Sequence, residues 1–370
     1  MACEALNVHP YRNFPDRQFW NRAVSTTPWA DVFMGQSAKF RLSASDRVAS
    51  AGSCFARRIA EHLIAKGYNY ELFESCHPLL EAKAADHGYG TFSCRYGNVY
   101  TTRQLRQLFD EALGVRAPIF RFARLGADSF VDLMRPNLGK AAAFGSVEEA
   151  KADRLYHLAC VRRMIEEMDA FVFTLGLTEA WADEAADIVY GSHPAVIVGS
   201  IQADGITAIN LDYEQVVADL EYVLDLIGRH SRVGGPKVVL TVSPVALAAT
   251  HQDDHVVTAT AYSKAVLRAA AGKIAVSHPR ADYFPSFEIF SLAQSFGQFL
   301  AEDLRDVNAR GVGVAMRAFE DMFMEAAPTT GAPRAEAPPP ANPGPPAAPA
   351  KSLAEAECDE IANAVFGAGS

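Results

Sequence analysis

Two short apolar runs, Ala170 to Leu175 and Lys237 to Val242, constrain the fold of this chain more than any other feature. Both are nearly continuous in apolar residues, as strands covered on both faces of a parallel sheet are. Each follows a long amphipathic helical period, Leu155 to Met168 before the first and Tyr213 to Ile227 before the second. Helix alternating with buried strand argues for a doubly wound α/β sheet with right-handed crossovers. Val48 to Ala51 supplies another strand, followed by a helix from Phe55 to Lys66 that carries Phe55, Ile59 and Leu63 at four-residue spacing and stops at Gly67. The helix before the first run opens at Glu148 behind Ser146, a candidate cap with Glu149 three residues on. Ile274 to Phe284 is a weaker candidate for a last strand. The expected fold is a three-layer α/β/α sandwich with a mainly parallel sheet.

With 370 residues at 49% hydrophobic composition, the chain can bury one large core, expected over 46–325. Residues 1–45, with Tyr11, Phe14, Phe19, Trp20 and Trp29, read as an irregular arm packed on that core. Beyond 326 the composition turns to Pro, Ala, Gly and Thr, so 326–351 reads as a disordered, semi-rigid linker. Residues 352–370 hold Leu353, Cys358, Ile361 and Val365 at roughly helical spacing, a short helix that is either a docking element or merely frayed.

Acidic residues outnumber basic ones 44 to 34, which leaves no electrostatic footprint for a nucleic-acid backbone. Met1 to Trp20 lacks the apolar core of a secretory signal, and no stretch approaches the roughly 20 apolar residues that span a bilayer. A cytoplasmic location without a membrane span is expected. The six cysteines are scattered without paired spacing, which argues against zinc and against a disulfide framework. His251, Asp253, Asp254 and His255 are the densest set of possible ligands, but their spacing matches no structural zinc pattern, so neither metal nor cofactor is expected.

Chemistry concentrates where the strand at Val48 turns straight into a helix through Gly52-Ser53-Cys54. Such an elbow needs the glycine, projects the next side chains from the sheet edge, and sets them at a helix N-terminus that favours an anion. Cys54, followed by Arg57 and Arg58, is in a setting that raises the thiolate fraction. A small buried hydrophobe is the plain alternative. Ser53 is the competing nucleophile and needs only a neighbouring base.

Gly52-Ser53-Cys54-Phe55-Ala56 resembles the name-giving motif of the GSCFA family, which is grouped with the SGNH (GDSL-like) hydrolases and acyltransferases of flavodoxin-like fold. Further blocks resemble it in order: Pro10-Tyr11-Arg12-Asn13, Tyr89-Gly90-Thr91-Phe92, Arg95-Tyr96-Gly97-Asn98, Phe173-Thr174-Leu175-Gly176-Leu177-Thr178-Glu179-Ala180-Trp181, Thr241-Val242-Ser243-Pro244, Tyr262-Ser263-Lys264 and Tyr283-Phe284-Pro285-Ser286. The resemblance implies an acyl-ester hydrolase or O-acyltransferase with Cys54 as nucleophile and a covalent acyl-enzyme. It implies an oxyanion hole from Gly97 and Asn98, with Thr178 where the superfamily has asparagine. Glu179, Trp181, Tyr262 and Lys264 are then substrate-contacting candidates, although Glu179 more readily fixes a nearby loop or pairs with an arginine. The implied partner is an acylated small molecule or carbohydrate.

The last superfamily block, Asp-x-x-His, corresponds to Asp303-Leu304-Arg305-Asp306, which puts Asp306 where the general base belongs. An aspartate does not reproduce imidazole's near-neutral titration, so another base serves or catalysis is lost and the chain is a binding protein. Of the ten histidines, His255 is the first choice, in a polar loop after the strand at Lys237, with Asp303 as its orienter. His251, His77 and His193 are other loop candidates. His62 and His157 read as surface or packing residues.

Overall fold

The computed structural model describes residues 9–138, 143–199, 204–291 and 293–325. The expected linker and terminal helix, 326–370, lie outside the described residues, as do residues 1–8 of the arm. The strands are β1 (Val48–Gly52), β2 (Phe122–Arg124), β3 (Phe130–Asp132), β4 (Ala170–Leu175), β5 (Glu179–Asp183), β6 (Ile188–Tyr190), β7 (Ile206–Asn210), β8 (Lys237–Val242) and β9 (Ala281–Phe284). The α-helices are α1 (Cys54–Ala65), α2 (Thr102–Leu113), α3 (Val147–Glu167), α4 (Pro194–Val198), α5 (Tyr213–His230), α6 (Val256–Ser277), α7 (Ser286–Ser291) and α8 (Ala309–Phe323).

The central sheet has the order β1-β4-β8-β9, every pair parallel. Because successive side chains point to opposite faces, each strand feeds two cores. Phe171, Phe173 and Leu240 pack with α2, α3, α5 and α6 on one face, while Val48, Val172 and Val239 pack with α1 and α8 on the other. The result is a three-layer α/β/α arrangement. Burying each large apolar side chain contributes about 1.5–3 kcal/mol, which is why β4, buried at all six positions, anchors the centre. The Ser146 cap forms as its sequence suggests, its hydroxyl accepting from the Glu149 N–H at 3.1 Å. Of the segment 274–284, the first residues finish α6 and only 281–284 form a strand.

The arm packs through its second half. Trp29 meets Phe299 edge-on at 5.1 Å and Phe40 lies against Phe323, whereas Tyr11, Phe14 and Trp20 are exposed. Directly after β4 the chain leaves the main sheet to build a small antiparallel one, β6-β5-β7. That excursion hangs over the C-terminal ends of the parallel strands.

Candidate active site

Gly52 ends β1 with φ +137°, and a Cβ there would lie 2.4 Å from the Thr174 carbonyl oxygen. Only glycine permits this approach of β1 to β4. Ser53 follows as the N-cap of α1, its N–H donating to Thr174 O at 3.2 Å, and Cys54 opens the helix. The Ser53 side chain makes no capping bond, and its buried Oγ has no hydrogen-bond partner among the described residues. Cys54 is half-buried and in no disulfide.

Both residues line a cavity of about 420 Å³ at the C-terminal edge of the sheet. That edge is where open α/β sheets place their ligands. Gly176 and Leu177 enter it from the end of β4, and Ser243 and the apolar segment 245–249 from the end of β8. Glu179 and Trp181 of β5, His193, His251 and Arg305 complete the wall.

The GSCFA family model matches residues 47–319. This chain belongs to the GSCFA family. No curated protein and no solved structure gives a significant match. The GSCFA residues 47–319 contain the elbow, every cavity residue and the whole of the central sheet.

Two imidazoles of the GSCFA chain share the cavity with Cys54. His251 has Nε2 at 3.1 Å from the Ile209 carbonyl and 3.5 Å from Glu179 Oε2, while Nδ1 is 3.1 Å from the Gln252 amide nitrogen. A carbonyl only accepts, so these partners assign the proton to Nε2 and leave Nδ1 as the acceptor. Glu179 also accepts from Thr250 Oγ1 at 2.6 Å and from the His251 N–H at 3.2 Å, which ties it to this loop. His193 precedes Pro194 as the N-cap of α4, its Nδ1 accepting from the Ala195 N–H at 3.2 Å. Its ring stands edge-on to Trp181 at 4.7 Å, and burial lowers its pKa, so the neutral ring presents an Nε2–H.

His255, the expected base, lies outside the cavity wall. Its exposed ring caps α6 by accepting from the Val257 N–H at 3.2 Å, a local bond that its position before a helix favours. Asp303 is exposed too, its carboxylate accepting at 3.0 Å from the N–H groups of Arg305 and Asp306. The anticipated Cys54, His255 and Asp303 set is therefore not assembled. Tyr262 is exposed on α6 and makes no part of the wall.

Lys264 is buried behind the wall, where Nζ donates to Gly176 O at 2.6 Å. Burial, and after it the charge of Arg305, pushes its pKa down to about 7. Lys264 thus holds the turn after β4 rather than touching the cavity. The Thr178 hydroxyl is also turned away, donating to Asn210 Oδ1 at 2.6 Å, while its N–H donates to Ser263 Oγ. Gly97 and Asn98 lead into Val99, whose N–H reaches Gly52 O at 2.9 Å. They support the elbow from beside it, but neither lines the cavity; Asn98 Nδ2 donates to the hydroxyl of Tyr100, which does. Arg305 and the His193 N-cap are cavity residues that sequence reasoning missed or ranked low. For His193 a signal was present, since His-Pro before a short apolar helix is a capping pattern.

Among the described residues, no group of three or more His, Cys, Asp or Glu is arranged to hold a metal ion. No helix among them is long and apolar enough to cross a membrane.

Proposed function

We propose that this GSCFA protein is an acyl-ester hydrolase or O-acyltransferase that works through a covalent acyl-enzyme on Cys54, with an acylated small molecule or carbohydrate as substrate. The observation that carries the reading is the sharing of one largely apolar cavity by the Cys54 thiol at a helix N-terminus and by an imidazole held by a carboxylate, Glu179–His251. His251 Nδ1 is the atom assigned to take the thiol proton, with Gln252 swinging aside and Glu179 stabilising the imidazolium. The thiolate attacks the acyl carbonyl. The N-terminus of α1 and His193 Nε2–H are the donors available to the oxyanion. Collapse expels the alcohol, which takes its proton from His251, and water or an acceptor alcohol then cleaves the thioester. Cys54 suits the nucleophile role better than Ser53 because the Ser53 Oγ is shielded, whereas Cys54 is part-exposed.

The second reading is a binding protein without turnover. It is favoured by one observation: both nitrogens of His251 are already engaged by protein groups. Labelling with acyl-directed thiol and serine probes separates the two. Covalent labelling lost in Cys54→Ala, slowed in His251→Ala and unchanged in His255→Ala supports the enzyme. Labelling that survives Cys54→Ala but not Ser53→Ala transfers the nucleophile to the serine, and no labelling of the wild type supports the binding protein.

A further inference from the structure

Arg305 has no part in the chemistry above, yet it is the guanidinium that lines the cavity. It is delivered there by the turn Asp303-Leu304-Arg305-Asp306, in which Asp303 accepts both following N–H groups and Leu304 sits at φ +56°. A leucine rarely adopts that left-handed backbone. Arg305 Nη1 pairs with Asp306 Oδ1 at 2.9 Å, while its buried Nε–H has no hydrogen-bond partner among the described residues. Ser53, also a wall residue and 5% exposed, likewise has a buried Oγ without a partner among the described residues.

Positive charge gathers around the cavity, where Asp306 is already paired with Arg305. The dipole of α1 ends at Ser53 and Cys54, and Lys264 lies close enough behind Gly176 to feel the Arg305 charge. The lining carboxylate, Glu179, is taken up by Thr250 and His251. Leu177, Trp181, Val245 and Leu247 leave the rest of the wall apolar. An occupant that satisfies all of this is an amphiphile with an anionic group on an apolar chain.

We propose that Arg305 is the anion receptor of this cavity, and that the substrate is an acyl amphiphile whose carboxylate or phosphate is bound by the Arg305 guanidinium with its chain along Trp181 and 245–249. The word substrate rests on the acyl-chemistry reading; the binding does not. Calorimetric titration of octanoate, octyl phosphate and 1-octanol tests it on the wild type and on Cys54→Ala, Arg305→Gln and Arg305→Lys. Charge-assisted hydrogen bonding of this kind gives about tenfold or greater preference for the anions over octanol in the wild type and in Cys54→Ala. Arg305→Gln should lose the preference and Arg305→Lys keep part of it, because lysine retains the charge without the planar fork. The tighter of the two anions identifies the headgroup. Octanol binding as tightly as both anions to the wild type overturns the proposal without reference to any variant, as does preference surviving in a folded Arg305→Gln. Anion preference without probe labelling would sink the enzyme and leave the receptor standing; labelling without anion preference would do the reverse.

Discussion

Among the described residues, two concentrations of buried polar groups differ in the room beside them. Beside α3 lies a closed network: His157 Nδ1 donates to Glu74 at 2.7 Å, the Arg95 N–H donates to Glu74 at 2.8 Å, and the Arg95 side chain pairs with Asp153 at 2.9 Å. Arg135 bridges Asp132 and Asp153, and Arg154 pairs with Glu111. The other concentration is the elbow cavity. Both contain buried nitrogens or oxygens without partners, Arg135 Nη1 and Arg154 Nε in the network, Ser53 Oγ and Arg305 Nε at the elbow. Volume separates them. Arg135 and Arg154 line a space of about 20 Å³, room for about one water, while the elbow opens into about 420 Å³. Buried charge alone is thus a poor marker of function, since it is also how a core closes on its own polar groups. An unsatisfied donor beside room for a molecule is a better one.

Mutation of the two regions should therefore separate stability from activity. The largest effect belongs to the network: Glu74→Ala leaves Arg95 and Arg135 short of a buried counter-charge and is expected to cost about 3–5 kcal/mol, read as a lower urea midpoint. An equally stable variant would show that the network is not structural. Gly52→Ala tests whether the elbow is structural as well. Forcing a Cβ against Thr174 O at positive φ should cost about 3 kcal/mol or more in the same measurement.

Acid should attack the network before the cavity. Burial alone would raise the Glu74 pKa, but the His157 hydrogen bond, the Arg95 N–H and Arg135 together bring it down to about 2 from the usual 4.5. The unfolded chain then binds that proton more readily than the folded one, so roughly 3 kcal/mol of stability is complete above pH 4.5 and is lost as the pH falls toward 2. Burial also lowers the His157 pKa from 6.5 against the pull of Glu74, so its loss runs in the same direction and begins below that value. A chevron or urea series between pH 7 and pH 3 with no fall in stability would contradict both assignments.

Within the cavity the effects should fall on acyl-probe labelling, if the proposed acyl chemistry holds. Glu179→Gln is expected to slow acyl-probe labelling about tenfold by loosening the His251 loop, with a stability change under about 1 kcal/mol. The smallest effect is that of Ser53→Ala on stability, within about 0.5 kcal/mol, because the hydroxyl bonds nothing in the folded protein. A large loss there would place Ser53 among the structural groups.

The parallel strands were legible because burial on both faces writes a continuous apolar run, and β4 and β8 occupy the residues that carry it. The small sheet β6-β5-β7 was not, since strands of three to five residues with half-exposed alternation look like loop. Helix α2 was not anticipated, although Thr101 and Gln104, which form a reciprocal capping box, mark its start. The elbow was legible through Gly52, whose backbone demand is local. The base was not. His251 and His255 are both loop histidines four residues apart, and nothing in their neighbours tells which faces Glu179 and which caps α6.

Composition, apolar periodicity and the ordered GSCFA motifs by themselves determined the layered α/β class, the family and the elbow, because each is set by residues near one another in the chain. The tertiary structure alone decided that Lys264 lies behind the cavity wall, that His251 meets a carboxylate 72 residues away, and that Arg305 rather than Asp303 or Asp306 reaches the cavity. Those outcomes depend on which loops the sheet brings to one edge, and a side chain's partner across that edge is chosen by packing and burial that no local pattern records.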